Sequence, residues 1–131
     1  MSEAVETDLY GALGGEAALR QLVARFYALM DELPEAYVIR KLHQDDLGSA
    51  REKLFEYFSG WLGGPPLYES KYGHPRMRAR HMPFAIGVAE RDAWLMCMAQ
   101  AFDETLPPGP ARDAFWERVV ALADWMRNRE G

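Results

Sequence analysis

The sequence predicts an all-α protein. Three observations carry that reading. Apolar residues recur at steps of three and four along four stretches, those stretches are separated by breaks rich in Gly and Pro, and no run alternates with the period of two that marks a strand. The first long stretch runs from Glu16 to Leu33, with Leu19, Leu22, Val23, Phe26, Tyr27 and Met30 on one face. Gly14 and Gly15 precede it and Pro34 closes it. Leu9 and Leu13 predict a leading helix that the nearby glycines keep short.

Residues 34–46 are less regular and predict a turn or short helix ending near His43, with Asp45 and Asp46 as a helix start signal. The second long helix spans Leu47 to Leu62. Its stripe is Leu47, Ala50, Leu54, Tyr57 and Trp61, widened by Phe58 and Leu62. Gly63-Gly64-Pro65-Pro66 ends it. Residues 71–81 read KYGHPRMRARH, four cations and no acid inside an acidic chain, with Pro75 and Pro83 bracketing a short helix. A third long helix follows from Glu90 to Leu106, with Trp94, Leu95, Met98, Ala101 and Phe102 inward. After the Pro107–Pro110 loop, a fourth covers Ala111 to Arg129, with Phe115, Val119, Leu122 and Met126 on its stripe.

Composition sets the scale. A chain of 131 residues, 49 % hydrophobic and 27 % charged, is sized for one domain with its own core, here residues 1–131, with 1–8 and 127–131 expected as loose ends. The net charge of −5 argues against partners bound by bulk positive charge, so nucleic acid and anionic membrane are not expected. The opening MSEAVETDLY lacks the basic and apolar regions of a secretory signal, and no run nears the roughly 18 apolar residues of a membrane span. A cytoplasmic protein is the expectation.

Several chemistries are excluded by missing residues. A single cysteine, Cys97, allows no internal disulfide, no CxxC site, no CxxCH haem attachment and no four-thiolate cluster. Cys97 itself reads as a buried hydrophobe. HExxH, Glu-x-x-His, GxSxG and the phosphate-binding GxxxxGK[ST] are all absent, and Gly11-x-x-Gly14-Gly15 follows no strand. The three histidines are His43, His74 and His81. His81 ends the basic, proline-bracketed helix. One imidazole facing an apolar cavity is how a protein holds haem iron without a covalent link, and neighbouring arginines suit the two haem propionates. From the residues alone, His81 reads first as a surface or satisfied core histidine and the arginines as a solvated face, with the ligand role the lesser reading.

The segments LYGALGGEAALRQLVARFY (9–27), WLGGPPLY (61–68), YGHPRMRARHMPFAIG (72–87) and ERDAWLMCM (90–98) resemble the truncated haemoglobins of group II, in order and spacing, from about residue 9 to 125. The GGPPLY and GHPR-x-RARH-x-PF strings carry most of that specificity. The resemblance implies a globin-like, truncated two-over-two helical sandwich around haem b held non-covalently. It implies His81 as the iron ligand and Tyr27 and Trp94 as distal groups. It places Lys53 and Tyr68 in contact with haem, Arg80 against a propionate with Arg78 assisting, and Phe84 as an aromatic beside the haem. The sequence departs from the pattern between Pro34 and Leu47, which is longer than in shorter members, and there His43 stands as the third distal candidate or a surface cap. Ala50, at the distal gate, and Leu54 one turn on are apolar, which leaves a short route from solvent.

The function so implied is reversible binding of oxygen, nitric oxide and carbon monoxide, with slow oxygen release. Redox chemistry of the peroxidase or nitric-oxide-dioxygenase kind would need an external reductase, since no reductase domain accompanies the chain. Monomer and dimer both stay open, as does coordination of iron by His43 or Tyr27 when no gas is bound. Two other classes stand beside it: a haem-based sensor acting through protein contacts, and a haem-free helical module docking an acidic partner through its Arg stripe.

Overall fold

The computed structural model describes residues 9–129, apart from the side chain of Arg78. The order is α1 (Leu9–Ala12), α2 (Gly15–Glu32), a 3-10 turn (Pro34–Ala36), α3 (Tyr37–Arg40), α4 (Gly48–Trp61), α5 (Leu67–Tyr72), α6 (Met77–His81), α7 (Val88–Thr105) and α8 (Pro110–Trp125). The described residues contain no strand. None of their helices is long and apolar enough to cross a membrane.

Helix α2 is the centre of the packing. It lies against α4 on one side and α7 on the other, and α7 packs on α8. The two pairs, α2 with α4 and α7 with α8, make the two layers of the expected sandwich. The stripe read on α2 is the buried one: Leu19, Leu22, Val23 and Phe26 are fully buried, Met30 nearly so, and Leu29 joins them. Phe26, Phe55, Phe58, Phe102 and Phe115 are the largest buried side chains. Phe115 links the layers, with ring centroids 5.2 Å from Phe58 and 4.8 Å from Phe102. Such aromatic pairs add about 0.5–1.5 kcal/mol beyond the area they bury.

Local chemistry sets the ends. The Asp46 carboxylate accepts the Gly48 N–H at 2.8 Å, which starts α4 where the acidic pair predicts. Glu90 accepts the Gly87 N–H at 2.8 Å, so α7 begins at Val88, two residues earlier than the apolar pattern alone suggests. Between α4 and α5, Gly64 lies under the Tyr10 ring, and a Cβ there would fall 2.4 Å from Tyr10 Cδ1. The close approach lets the Tyr10 N–H reach the Leu62 carbonyl at 2.9 Å and seat α1 on the end of α4.

Two elements differ from the sequence reading. Helix α8 stops at Trp125 rather than Arg129. Residues 127–129, read as a loose end, are tied to the segment after α6: the Asn128 and Arg129 N–H groups donate to the Ile86 carbonyl at 2.8 and 3.1 Å. Residues 1–8, the other expected loose end, lie outside the described residues. The second difference is on α4. Its buried residues are Phe55, Glu56, Phe58 and Ser59, while the stripe Ala50, Leu54, Tyr57 and Trp61 is only half-buried. That stripe packs on the edge of the core and keeps part of its surface open.

Cys97 is fully buried on α7. Burial, with a smaller contribution from the Glu35 charge, pushes its thiol up to about 11. At pH 8 roughly a thousandth of it is thiolate, and that fraction rises tenfold per pH unit until the thiol titrates. The native protein is expected to resist a colorimetric thiol reagent at pH 8 for hours, and to react fully once unfolded in guanidinium. Reaction within seconds in the native state would contradict this.

Candidate functional site

The site is built on α6, a helix of five residues. Pro75 cannot donate, and Arg76 takes a left-handed backbone, φ 49°, that starts the helix one residue on. The turn is held by His74, whose Nδ1 accepts the Arg76 N–H at 3.0 Å. At the end of α6 stands His81, half-buried. Its Nδ1 lies 2.7 Å from the Met77 carbonyl oxygen. A carbonyl only accepts, so Nδ1 carries the proton and Nε2 keeps its lone pair. Burial lowers the His81 pKa, the Met77 hydrogen bond partly offsets this, and charge on His43 lowers it further. His81 is therefore the neutral imidazole at pH 7, fixed in one tautomer, with Nε2 free to coordinate a metal.

His43 repeats the same local device: its Nδ1 lies 2.8 Å from the Ile39 carbonyl, four residues back. Its Nε2 is likewise an acceptor. The His43 ring stands edge-on to Tyr27, with centroids 5.9 Å apart. Tyr27 in turn packs edge-on against Phe26 at 4.9 Å, and Phe26 against Trp94 at 5.2 Å. So Tyr27 of α2 meets His43 of the loop after α3 directly, and Trp94 of α7 is linked to Tyr27 through Phe26. Tyr27 is 6 % exposed, and burial raises its phenol well above the ordinary value, so the hydroxyl stays protonated and a donor. Its contacts among the described residues are ring contacts; no described residue accepts a hydrogen bond from it.

Several apolar side chains of α3, α4 and α7 form walls that are only half-covered. Ala50, Leu54, Tyr57 and Trp61 of α4, Val38 before the loop, and Trp94 and Leu95 of α7 all pack against the core while keeping part of their surface open. Trp94 and Leu95 are thus less buried than the sequence reading of α7 implies. Beside α6 lies a cavity of about 480 Å3 walled by Tyr57, Trp61, Tyr68, Met77 and Trp125. It lies within the usual 300–1,000 Å3 range of cofactor-sized pockets. His81 is not among its walls; it reaches Met77, one turn before His81.

The remaining sequence-read residues fall around this frame. Tyr68 is buried, 4.8 Å from Tyr72 and 6.4 Å from Tyr57 by ring centroids. Lys53 is exposed, its Nζ 5.5 Å from the Tyr72 ring. Arg80 is exposed too; its Nε donates to the Pro75 carbonyl at 2.8 Å, which leaves the outer guanidinium nitrogens for an acid. Phe84 is 39 % exposed and 6.4 Å from the His81 ring. The Arg78 side chain lies outside what is described. Among the described residues no cluster of three or more metal-ligating side chains occurs, so any metal here is held by few protein groups.

Sequence reasoning missed two features. Glu56 is a buried carboxylate at the edge of the cavity, paired with Lys71 through one oxygen, while the other has no partner. Its position between Phe55 and Phe58 on the inward face was the available signal. Asn128 donates to the carbonyls of His81 and Phe84, 3.2 and 2.8 Å, and accepts the Ile86 N–H at 2.9 Å. Nothing local to residue 128 announces this, since its partners lie more than forty positions away.

The comparisons agree with this frame. The bacterial-like globin family model matches residues 8–128. A group 2 truncated hemoglobin of Bacillus subtilis (strain 168) is 37 % identical over 115 residues, covering 88 % of this chain and 85 % of that protein. Among solved structures, the group II 2-on-2 hemoglobin of Agrobacterium tumefaciens superposes with a TM-score of 0.91 at 48 % identity, covering 94 % of this chain and 95 % of the other. The truncated oxygen-avid haemoglobin of Bacillus subtilis superposes with a TM-score of 0.86 at 37 % identity, covering 92 % and 99 %.

Proposed function

Because this chain belongs to the bacterial-like globin family, and within it to the group II two-on-two haemoglobins, we propose that it binds haem b through His81 and uses it to hold oxygen and related diatomic gases, releasing oxygen slowly. The observation that carries the reading is the His81 imidazole. It is neutral, half-buried and oriented by Met77 with Nε2 left free, while apolar walls on α3, α4 and α7 stay half-covered. A flat apolar group would complete those walls, and the unspent guanidinium nitrogens of Arg80 with the Lys53 ammonium suit two carboxylates at its edge. The residues present therefore fit haem. When bound, haem would supply an iron able to take up a diatomic gas.

The chain's own groups set how that gas is held. Tyr27 and Trp94 are hydrogen-bond donors in a poorly hydrated space, so they favour a ligand that gains negative charge on binding, as oxygen does more than carbon monoxide. Phe26 holds both rings and so keeps the donors pre-oriented. Retention of this kind suits redox chemistry or scavenging better than delivery. The structurally similar haemoglobin of Bacillus subtilis is oxygen-avid, which supports the same property here. Any turnover draws electrons from an external reductant.

The neutral His43 tautomer presents an acceptor and not a donor. Its Nε2 would instead be able to coordinate the haem iron when no gas is bound. Expression with ample haem precursor is expected to give a red protein with a Soret band and one haem per chain. Its ligand-free ferric spectrum is expected to be low-spin and to become high-spin in His43→Leu. A colourless product would end the haem reading; a high-spin parent spectrum would end only the assignment of His43.

A further inference from the structure

We propose that Asn128 is a positioning residue for the iron ligand: it clamps the end of α6 and so sets how firmly His81 is held. The proposal rests on the haem reading above and deepens it. A five-residue helix is far below the length at which helices persist alone, so α6 depends on outside support. Its own bonds are local: Arg80 Nε to the Pro75 carbonyl, His81 Nδ1 to the Met77 carbonyl, and the Phe84 N–H to the His81 carbonyl at 3.0 Å. Residues 82–87 beyond it form no helix or strand. The long-range hydrogen bonds that hold 81–86 in place come from Asn128 and the backbone N–H of Arg129.

The geometry uses all of the Asn128 amide. Nδ2 donates to the His81 carbonyl, one of the orphan acceptors at the end of α6, and to the Phe84 carbonyl. Oδ1 accepts the Ile86 N–H, and the backbone N–H of Asn128 donates to the Ile86 carbonyl. With two carbonyls at one end and an N–H at the other, the amide has one workable orientation. The side chain thus ties the ligand's own residue, and the loop that follows it, to the end of the last long helix. Leucine or alanine at 128 could keep the tail in place through the backbone bond, but would leave the His81 and Phe84 carbonyls without this donor. A ligand whose backbone opens more often releases its metal more often.

The experiment compares the haem-loaded parent with Asn128→Ala, Asn128→Asp and Arg129→Ala. Haem transfer to an excess of a haem-scavenging globin gives the dissociation rate, and resonance Raman of the ferrous form gives the iron–imidazole stretch. Amide exchange at residues 82–86 of the haem-free chain reads the clamp without any cofactor. Asn128→Ala is expected to lose haem about tenfold faster, equivalent to about 1.4 kcal/mol, with a broadened or shifted stretch and faster exchange at 82–86. Asn128→Asp keeps the shape and the acceptor but removes both donations, so it shifts the same way even if the alanine variant folds poorly. Arg129→Ala keeps its backbone bond to Ile86 but removes the guanidinium donation to Asn128 Oδ1 at 3.2 Å, so it leaves both Asn128 donations in place and is expected to shift less than either Asn128 variant. If exchange at 82–86 rises in both Asn128 variants while haem loss stays within twofold and the stretch is unmoved, Asn128 only fastens the tail and the proposal is overturned. Unchanged exchange overturns it directly. A parent that takes up no haem defeats the function reading instead, and the exchange result then still reports on the clamp.

Discussion

Replacing His81 by alanine is expected to give a chain that stays helical but keeps almost no Soret absorbance after gel filtration. The helical core does not depend on this side chain. His81 is half-buried on the five-residue α6, whereas the core is made by Phe26, Phe55, Phe58, Phe102 and Phe115 in the long helices. Cofactor retention is expected to depend on it, because His81 is the imidazole proposed to hold the iron, fixed in one tautomer by the Met77 carbonyl. Loss of a group that merely orients a metal ligand weakens metal binding about 10–100-fold. Loss of the ligand itself should exceed the upper end of that range, so haem transfer to a scavenger is expected to speed up by roughly 100-fold or more. Millimolar imidazole should restore part of the Soret band in His81→Gly, since the apolar walls remain. Parent-like haem loss in His81→Ala would move the iron to another side chain and overturn the site.

The long helices were legible because each one buries a stripe, and burial imposes the 3.6-residue period that can be read off Leu19, Leu22, Val23 and Phe26. The α4 stripe was legible for another reason. Ala50, Leu54, Tyr57 and Trp61 are half-covered on the edge of the core, and sequence alone cannot separate a face covered fully by protein from one left partly open. His81 was located by the resemblance, while its tautomer needed the Met77 carbonyl in space. The i, i+4 spacing of Ile39 and His43 and of Met77 and His81 was visible, yet spacing fixes a hydrogen bond only once the turn is known to be helical. The Asn128 clamp and the Glu56–Lys71 pair escaped because they join distant elements, and such contacts leave no periodic trace.

Removing one distal donor is expected to have the second large effect. Trp94→Phe keeps an aromatic ring against Phe26 but deletes the indole N–H, and Tyr27→Phe keeps the packing while deleting the hydroxyl. A hydrogen bond to a charged partner contributes about 1.5–3 kcal/mol, and about 1.4 kcal/mol is a factor of ten. Each substitution is therefore expected to raise the oxygen dissociation rate at least about tenfold by stopped flow, and the double variant about a hundredfold or more. Carbon monoxide release should change much less, because that ligand gains less charge and accepts more weakly. The pH profile identifies the donors. Burial raises the Tyr27 phenol and so keeps it protonated through neutral and mildly alkaline solution, and an indole N–H does not titrate there. With these two as donors, the parent's oxygen release rate should be flat from pH 6 to 9. A rate that climbs steeply with pH within that range would instead bring a further donor into the mechanism. An unchanged rate in Trp94→Phe would remove the indole from the mechanism and leave Tyr27 to account for the whole of any slow release.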